Sequence, residues 1–318
     1  VEQQLAPLRT PGCRRDLQAI AERWPMTALG YTELKPQAGS ATMEMVVVAS
    51  DESQMQELLQ LQGHIPPALR QSQAAPLAAT AFGLDVDALA PSVQSLWQRF
   101  TSADYQCEFL VAAQQELRQQ NPAMLALGTA MLSGIRGVAV AVYDLQVGAD
   151  GPQLDTLRAV LTLSAEDPAA VLSRVQALNP NLAALRIPAD GSAVELPPLF
   201  EQQGLPPLLA AIHGQHLVIF TGSVPDGVLP ALAAEPLSAN GLWWMRLDYA
   251  RLFPLLERLI ASAASNDAVA AEEAALVQEQ FGQLGTLNMA AEFGLDFSGK
   301  GVILRSGVEV GADQAQNQ

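Results

Sequence analysis

The sequence predicts an α+β protein made of duplicated units of mostly antiparallel sheet, in which β-hairpins are covered by helices. Three observations lead there. Strand-like segments come in pairs around turn-forming residues at 26–49, 137–164 and 287–310. Between the pairs, apolar residues recur at the three- and four-residue spacing of amphipathic helices. One joint also occurs twice: Leu84-Asp85, with Leu89 and Pro91 behind it, returns as Leu247-Asp248 with Leu252 and Pro254. Both copies fit L-D-x-x-x-L-x-P-x-[VL]-x-x-L, which marks one structural unit used twice.

In chain order, a helix is expected over 11–24, with Leu17, Ile20, Ala21 and Trp24 on one stripe and Pro25 as its stop. The first hairpin follows, its arms 26–34 and 41–49 joined by the Pro- and Gly-containing 35–40. Ser50 then offers a cap, with Asp51 and Glu52 in a helix reaching about Gln62. Prolines break 63–77 into loop. A strand over 77–84 leads into a helix over 87–100, where Pro91 is expected in the first turn. Residues 104–132 read as two helices divided at Asn121-Pro122.

The second hairpin has arms 137–147 and 154–164, turning at 148–152. Its run Val138-Ala139-Val140-Ala141-Val142-Tyr143 is apolar throughout, which predicts cover on both faces. Ser164 repeats the serine cap before a helix to about Leu178. Beyond it, 184–188 and 192–196 are expected to pair, 197–212 to hold a helix, 217–221 a strand and 224–234 a helix. The strand 241–247 runs into the second joint and a helical tract to about Gln283, with 261–275 as a loop inside it. The third hairpin closes the chain, and 312–318 are expected to be disordered.

The order hairpin, helix, strand, helix, hairpin thus runs over 26–165, and a similar order with an insertion about 183–236 runs over 137–310. A first repeat over 1–136 and a second over 137–318 are expected, with the middle hairpin 137–165 shared. The hairpins are unevenly spaced, which argues against a solenoid.

With 318 residues, 49% of them hydrophobic, the chain can bury a sizeable core. Its net charge of −16 repels phosphate backbones and anionic lipid surfaces, so nucleic acid is not an expected partner. No window holds the roughly 18 apolar residues of a spanning helix. The polar, Pro-containing opening Val1–Pro7 would suit a tether to a lipid anchor upstream of Val1.

Cys13 and Cys107 fit one disulfide in an oxidising compartment, or two separate buried thiols. There is no C-x-x-C, and no histidine adjoins either. Asp85 and Asp87 invite a metal or acid–base reading, but the second copy has Asp248 with Ala250 in place of the second acid. A helix cap explains the equivalent aspartates more economically. His64, His213 and His216 read as surface histidines; 213 and 216 flank Gly214 in a turn and do not form a helical ligand pair. Gly134-Ile135-Arg136-Gly137 and Gly282-Gln283-Leu284-Gly285 lack phosphate-cradle spacing, and Ser133 and Ser223 lack a nucleophile elbow. No catalytic residue, cofactor or metal ligand is assigned.

Trp243-Trp244-Met245 is the densest aromatic cluster. Successive strand residues point to opposite faces, so either helices bury both tryptophans or one of them meets an apolar ligand or a partner. The duplicated strand, L-D-x-x-x-L helix and hairpin resemble uncharacterised envelope proteins of Gram-negative bacteria, exported and often lipid-anchored. That resemblance implies a periplasmic location and carries over no functional residue. The expected function is therefore a non-enzymatic periplasmic binding or scaffolding protein, acting with a protein partner or as a homodimer. The alternative is a carrier of a lipid or other apolar ligand in a groove between sheet and helices, and a hydrolase comes third.

Overall fold

The structure is a computed structural model that describes residues 6–36, 39–71, 74–121, 123–147, 154–197, 207–264 and 288–310. Among them the chain runs α1 (Pro11–Ala21), β1 (Met26–Lys35), β2 (Ser40–Val48), α2 (Glu52–Leu59), α3 (Pro67–Arg70), β3 (Ala78–Phe82), α4 (Val86–Ser102), α5 (Glu108–Gln119), α6 (Ala123–Met131), β4 (Ile135–Val147) and β5 (Leu154–Ala165). It continues with α7 (Pro168–Leu178), β6 (Val194–Glu195), β7 (Leu208–His213), β8 (His216–Thr221), α8 (Val228–Ala234), β9 (Trp243–Asp248), α9 (Tyr249–Ala264), β10 (Met289–Ser298) and β11 (Gly301–Val310). The fold is α+β.

All eleven strands form one antiparallel sheet in the order β1-β2-β11-β10-β9-β3-β4-β5-β8-β7-β6. With α3, α5 and α6 as additional helices in the first, the series hairpin, helix, strand, helix, hairpin can be followed as β1–β2, α2, β3, α4, β4–β5 and again as β7–β8, α8, β9, α9, β10–β11, so that it does not need the middle hairpin 137–165 to be shared. The second series opens on β7–β8, inside the stretch 183–236. Each series is split within the sheet. Hairpin β1–β2 lies beside β11 of the second series, and β8–β7 lies beside β5 of the first. The strands that precede the two recurrent joints, β3 and β9, pair with each other at the centre, with Ala81 opposite Trp244.

Several local expectations change. Asp51 caps α2, accepting from the Gln54 N–H at 3.1 Å, while the Ser50 hydroxyl donates to the Arg23 carbonyl. Likewise Asp167 caps α7, and Ser164 is already committed to β5. In both places the residue next to the first helical turn takes the cap, and a carboxylate suits the positive end of the helix dipole. Asp85 caps α4 at Val86, which puts Pro91 inside the helix instead of in its first turn; Pro254 lies inside α9 in the same way. Of the helix expected over 197–212, residues 198–206 lie outside the described residues, and the segment from Leu208 is strand β7 instead. The hairpin expected from 184–188 and 192–196 reduces to β6, which pairs with β7. A two-residue turn at 214–215 folds the β7 segment back onto β8, and β6 adds to its other edge; an apolar six-residue segment serves either period, so pairing decides. The turn 148–152, the helical tract past Ala264, the tether 1–5 and the tail 312–318 lie outside the described residues.

The main core sits on one face of the central strands. Ala79, Ala81, Ala139 and Ala141 are small enough for the segment 63–71 to lie close above them. Ile65 and Leu69 from that segment, and Val228 and Leu232 from α8, pack there against Val160, Val218, Phe220 and Trp244. A second cluster joins Cys13 and Cys107, which form a disulfide, with Leu110, Ile20 and Phe100. The expectation that 138–143 is covered on both faces fails. Val138 and Val140 on the opposite face remain 38% and 37% exposed.

Candidate functional site

The joint residues have structural duties. Asp85 Oδ1 accepts from the N–H groups of Asp87 and Ala88, closing the start of α4. Arg136 then reaches Asp85 at 2.7 Å, Asp87 at 2.9 Å and Glu166 at 2.5 Å. Burial alone would raise the Asp87 carboxyl, but hydrogen bonds from Ser133, Arg136 and Gly134 hold it below the usual range. In the second copy Asp248 accepts from the Arg251 N–H at 3.2 Å, and the Arg251 guanidinium continues to the carbonyls of Ala75 and Tyr143. Leu84, Leu89, Leu247 and Leu252 are half-buried beside these caps, and Pro91 and Pro254 face solvent. Because β3 and β9 are antiparallel, the two joints stand at opposite ends of the central pair and share no site.

Trp243 and Trp244 point to opposite faces. Trp244 is buried, with the Arg70 guanidinium 5.6 Å above its ring and its indole N–H donated to Glu292. The surrounding charges neutralise one another: Arg246 meets Glu292 and Glu309, and Arg305 meets Glu44 and Asp296.

Trp243 and Met245 lie on the other face. Directly opposed residues of an antiparallel ladder share a face. Following the register outward from Trp243 and Met245 gives Phe82, Val138, Val140, Leu161 and Ile219 on one side. On the other side it gives Phe293, Leu295, Leu304, Met43, Met45 and Leu29. This apolar surface crosses nearly the whole sheet. It contains a cavity of about 240 Å³ lined by Leu29, Met43, Met45, Trp243, Phe293 and Leu304. Val86 and Val171 close one margin against Leu163. Further in, Leu161 is 39% exposed and Phe82 51% exposed. Burying such residues is worth about 1.5–3 kcal/mol each, so an open apolar face of this extent favours an occupant.

The histidines are not all at the surface. His64 and His216 are 1% and 0% exposed, and Glu235 joins them. His64 lies on the strap 62–66 between α2 and α3. The strap is held to β4 by the His64 N–H, which donates to the Arg136 carbonyl at 2.6 Å. His216 opens β8 after a tight turn in which Gly214 adopts φ +58°. Cross-strand pairing with Ser164 brings that hydroxyl to 2.9 Å from His216 Nδ1. Glu235 ends α8, where its Oε2 accepts from the Ala68 N–H at 3.0 Å. Its Oε1 lies 3.1 Å from His64 Nε2 and 3.3 Å from His216 Nε2. Three residues from three elements, far apart in sequence, converge here, and no local spacing announces them.

Burial pushes the His216 imidazole down to about 4, against the opposing pull of Glu235. The folded ring is therefore neutral where the unfolded one, titrating near 6.5, is charged. Stability from this group is complete above about pH 6.5 and is lost as pH falls toward 4, by on the order of 3 kcal/mol in all. Urea denaturation in chelator at pH 7.5 and pH 4.5 measures it; a His216→Gln variant should show a flatter profile.

Comparison with protein-family models, curated proteins and solved structures finds no match to this chain.

Proposed function

We propose that this protein is a non-enzymatic binding protein that shelters an acyl chain or similar apolar ligand against the open face of its sheet. The observation that carries the reading is the continuous apolar surface from Met45 through Trp243 to Leu161, with its cavity. From β2 to β5 there are six strand intervals. At about 4.8 Å each they span about 29 Å, roughly twice the 15 Å depth of one leaflet's hydrocarbon. Methionines at 43 and 45 supply adaptable walls. The chain's negative charge disfavours anionic membrane surfaces, so a single sheltered ligand fits better than adsorption to a bilayer.

The disulfide supports an oxidising compartment, for which we propose the periplasm. No helix among the described residues is long and apolar enough to cross a membrane. A scaffolding role, through a protein partner or a second copy, draws support from α6. Met124, Leu127 and Met131, at helical spacing, are 67%, 64% and 51% exposed there.

Native mass spectrometry of gently purified protein is expected to show an adduct of acyl-lipid mass, and a fluorescent fatty acid should bind saturably. Leu161→Asp, at a site already open to solvent, should weaken that binding at least about tenfold, the cost of a buried unpaired charge, while leaving the circular dichroism unchanged. Neither adduct nor saturable binding would sink the reading. A dimer or captured partner in their place would favour the scaffold.

A further inference from the structure

We propose that His64, His216 and Glu235 bind one divalent transition metal of the zinc class, through the two Nε2 atoms and Glu235 Oε1. The three ligand atoms lie within 4.8 Å of one another. Two of their separations, 3.1 and 3.3 Å, match the edge of about 3.3 Å that a tetrahedron has when its metal–ligand bonds are about 2.0–2.1 Å. Two imidazoles and a carboxylate form a donor set suited to zinc, cobalt or nickel and poorly suited to magnesium or calcium.

The outer hydrogen bonds suit ligation at His216 and must rearrange at His64. Ligation through Nε2 requires each ring to carry its proton on Nδ1. His216 Nδ1 then donates to Ser164 Oγ at 2.9 Å. At His64 the Ser238 N–H points at Nδ1 at 3.2 Å, so ligation requires Nδ1 to take up the proton and donate instead to the Ser238 carbonyl, also at 3.2 Å. In that state two nitrogen lone pairs and a carboxylate oxygen converge in the interior, an arrangement that needs a cation at its centre.

The opposite tautomers would leave a hydrogen-bonded trio, with both Nε2–H groups aimed at Glu235. His64 makes that bond. His216 Nε2 does not: it is buried, 3.3 Å from the same oxygen, and has no hydrogen-bond partner. An orphaned nitrogen on a fully buried ring is what a metal ligand leaves when only the protein atoms are considered. Glu235 Oε2 is held by the Ala68 N–H, so the carboxylate offers one oxygen and the fourth position falls to water.

Bound there, the metal would tie the strap 62–66, the start of β8 and the end of α8 into one unit. Chelator-stripped protein titrated with zinc in a calorimeter is expected to bind one ion per chain, with a raised melting temperature and no comparable heat from magnesium or calcium. His64→Gln and Glu235→Gln should each weaken binding at least about tenfold, while His213→Ala, outside the cluster, leaves it unchanged. Fewer than one zinc per wild-type chain, or full affinity in both variants, overturns the proposal. If the variants fail to fold, cobalt(II) decides on the wild type: intense visible absorption of a four-coordinate ion supports the site, and the weak spectrum of a six-coordinate ion overturns it.

Discussion

Gly63→Ala is expected to destabilise the protein by about 3 kcal/mol or more, the upper end of overpacking costs. A methyl group at this position would sit 2.0 Å from the Arg136 carbonyl oxygen and 2.4 Å from the Leu84 nitrogen. Both are backbone atoms of central elements and have no rotamer by which to move. The strap around Gly63 is fixed from the other side as well. Its carbonyl accepts from the Asn240 N–H, and the Asn240 side chain pairs with Ile65 in both directions at 2.7 and 2.9 Å. Relief must therefore lift His64 and Ile65 out of the core. Gly30→Ala is the matched control, since nothing lies within 4 Å of a methyl added there and alanine suits a strand better than glycine. Urea midpoints measure the pair; a Gly63→Ala protein within 1 kcal/mol of wild type would refute the packing account.

Removing the Cys13–Cys107 disulfide is expected to cost about 2–4 kcal/mol. The cross-link closes 94 residues, for which chain entropy alone sets a ceiling near 5 kcal/mol. The ends it joins are also held by Asp16, whose buried carboxylate accepts from the N–H groups of Gln106 and Cys107 at 2.6 and 2.8 Å. That contact caps α5 from a neighbouring helix, because Cys107 at its N-cap position makes no side-chain cap. A paired Cys13→Ser and Cys107→Ser variant should unfold at lower urea and still fold, since Asp16 keeps the helices in register. Two titratable thiols in the unreduced protein would remove the premise.

The sequence was legible wherever structure is local. The three hairpins, the aspartate joints and the alternation of Trp243 and Trp244 follow from period and capping, and each matches the strands and caps observed. It failed where an apolar segment fits either period and where the partner lies far along the chain. Leu208–His213 is a strand because β8 and β6 pair with it. His64, His216 and Glu235 meet across 171 residues in one contact, and only their burial marks them. The open face was half legible: the apolar run 138–143 signalled two apolar faces, but which one the segment 63–71 would cover depended on the alanines at 139 and 141.

The interleaving of the two series bears on how the protein is made. Hairpin β1–β2 is complete by residue 48, yet among the described residues the strand beside it, β11, begins at Gly301. At a synthesis rate of about 5–20 residues per second, the leading hairpin waits on the order of 10–50 s for that edge to emerge. Throughout that interval Met26, Leu29, Tyr31 and the apolar arm of β2 have no sheet to join. An isolated hairpin is at best marginally stable in water, and its free edges invite pairing with another nascent chain. A chain truncated before residue 301 therefore leaves β2 with a free edge and is expected to pellet under conditions that keep the full chain in the supernatant.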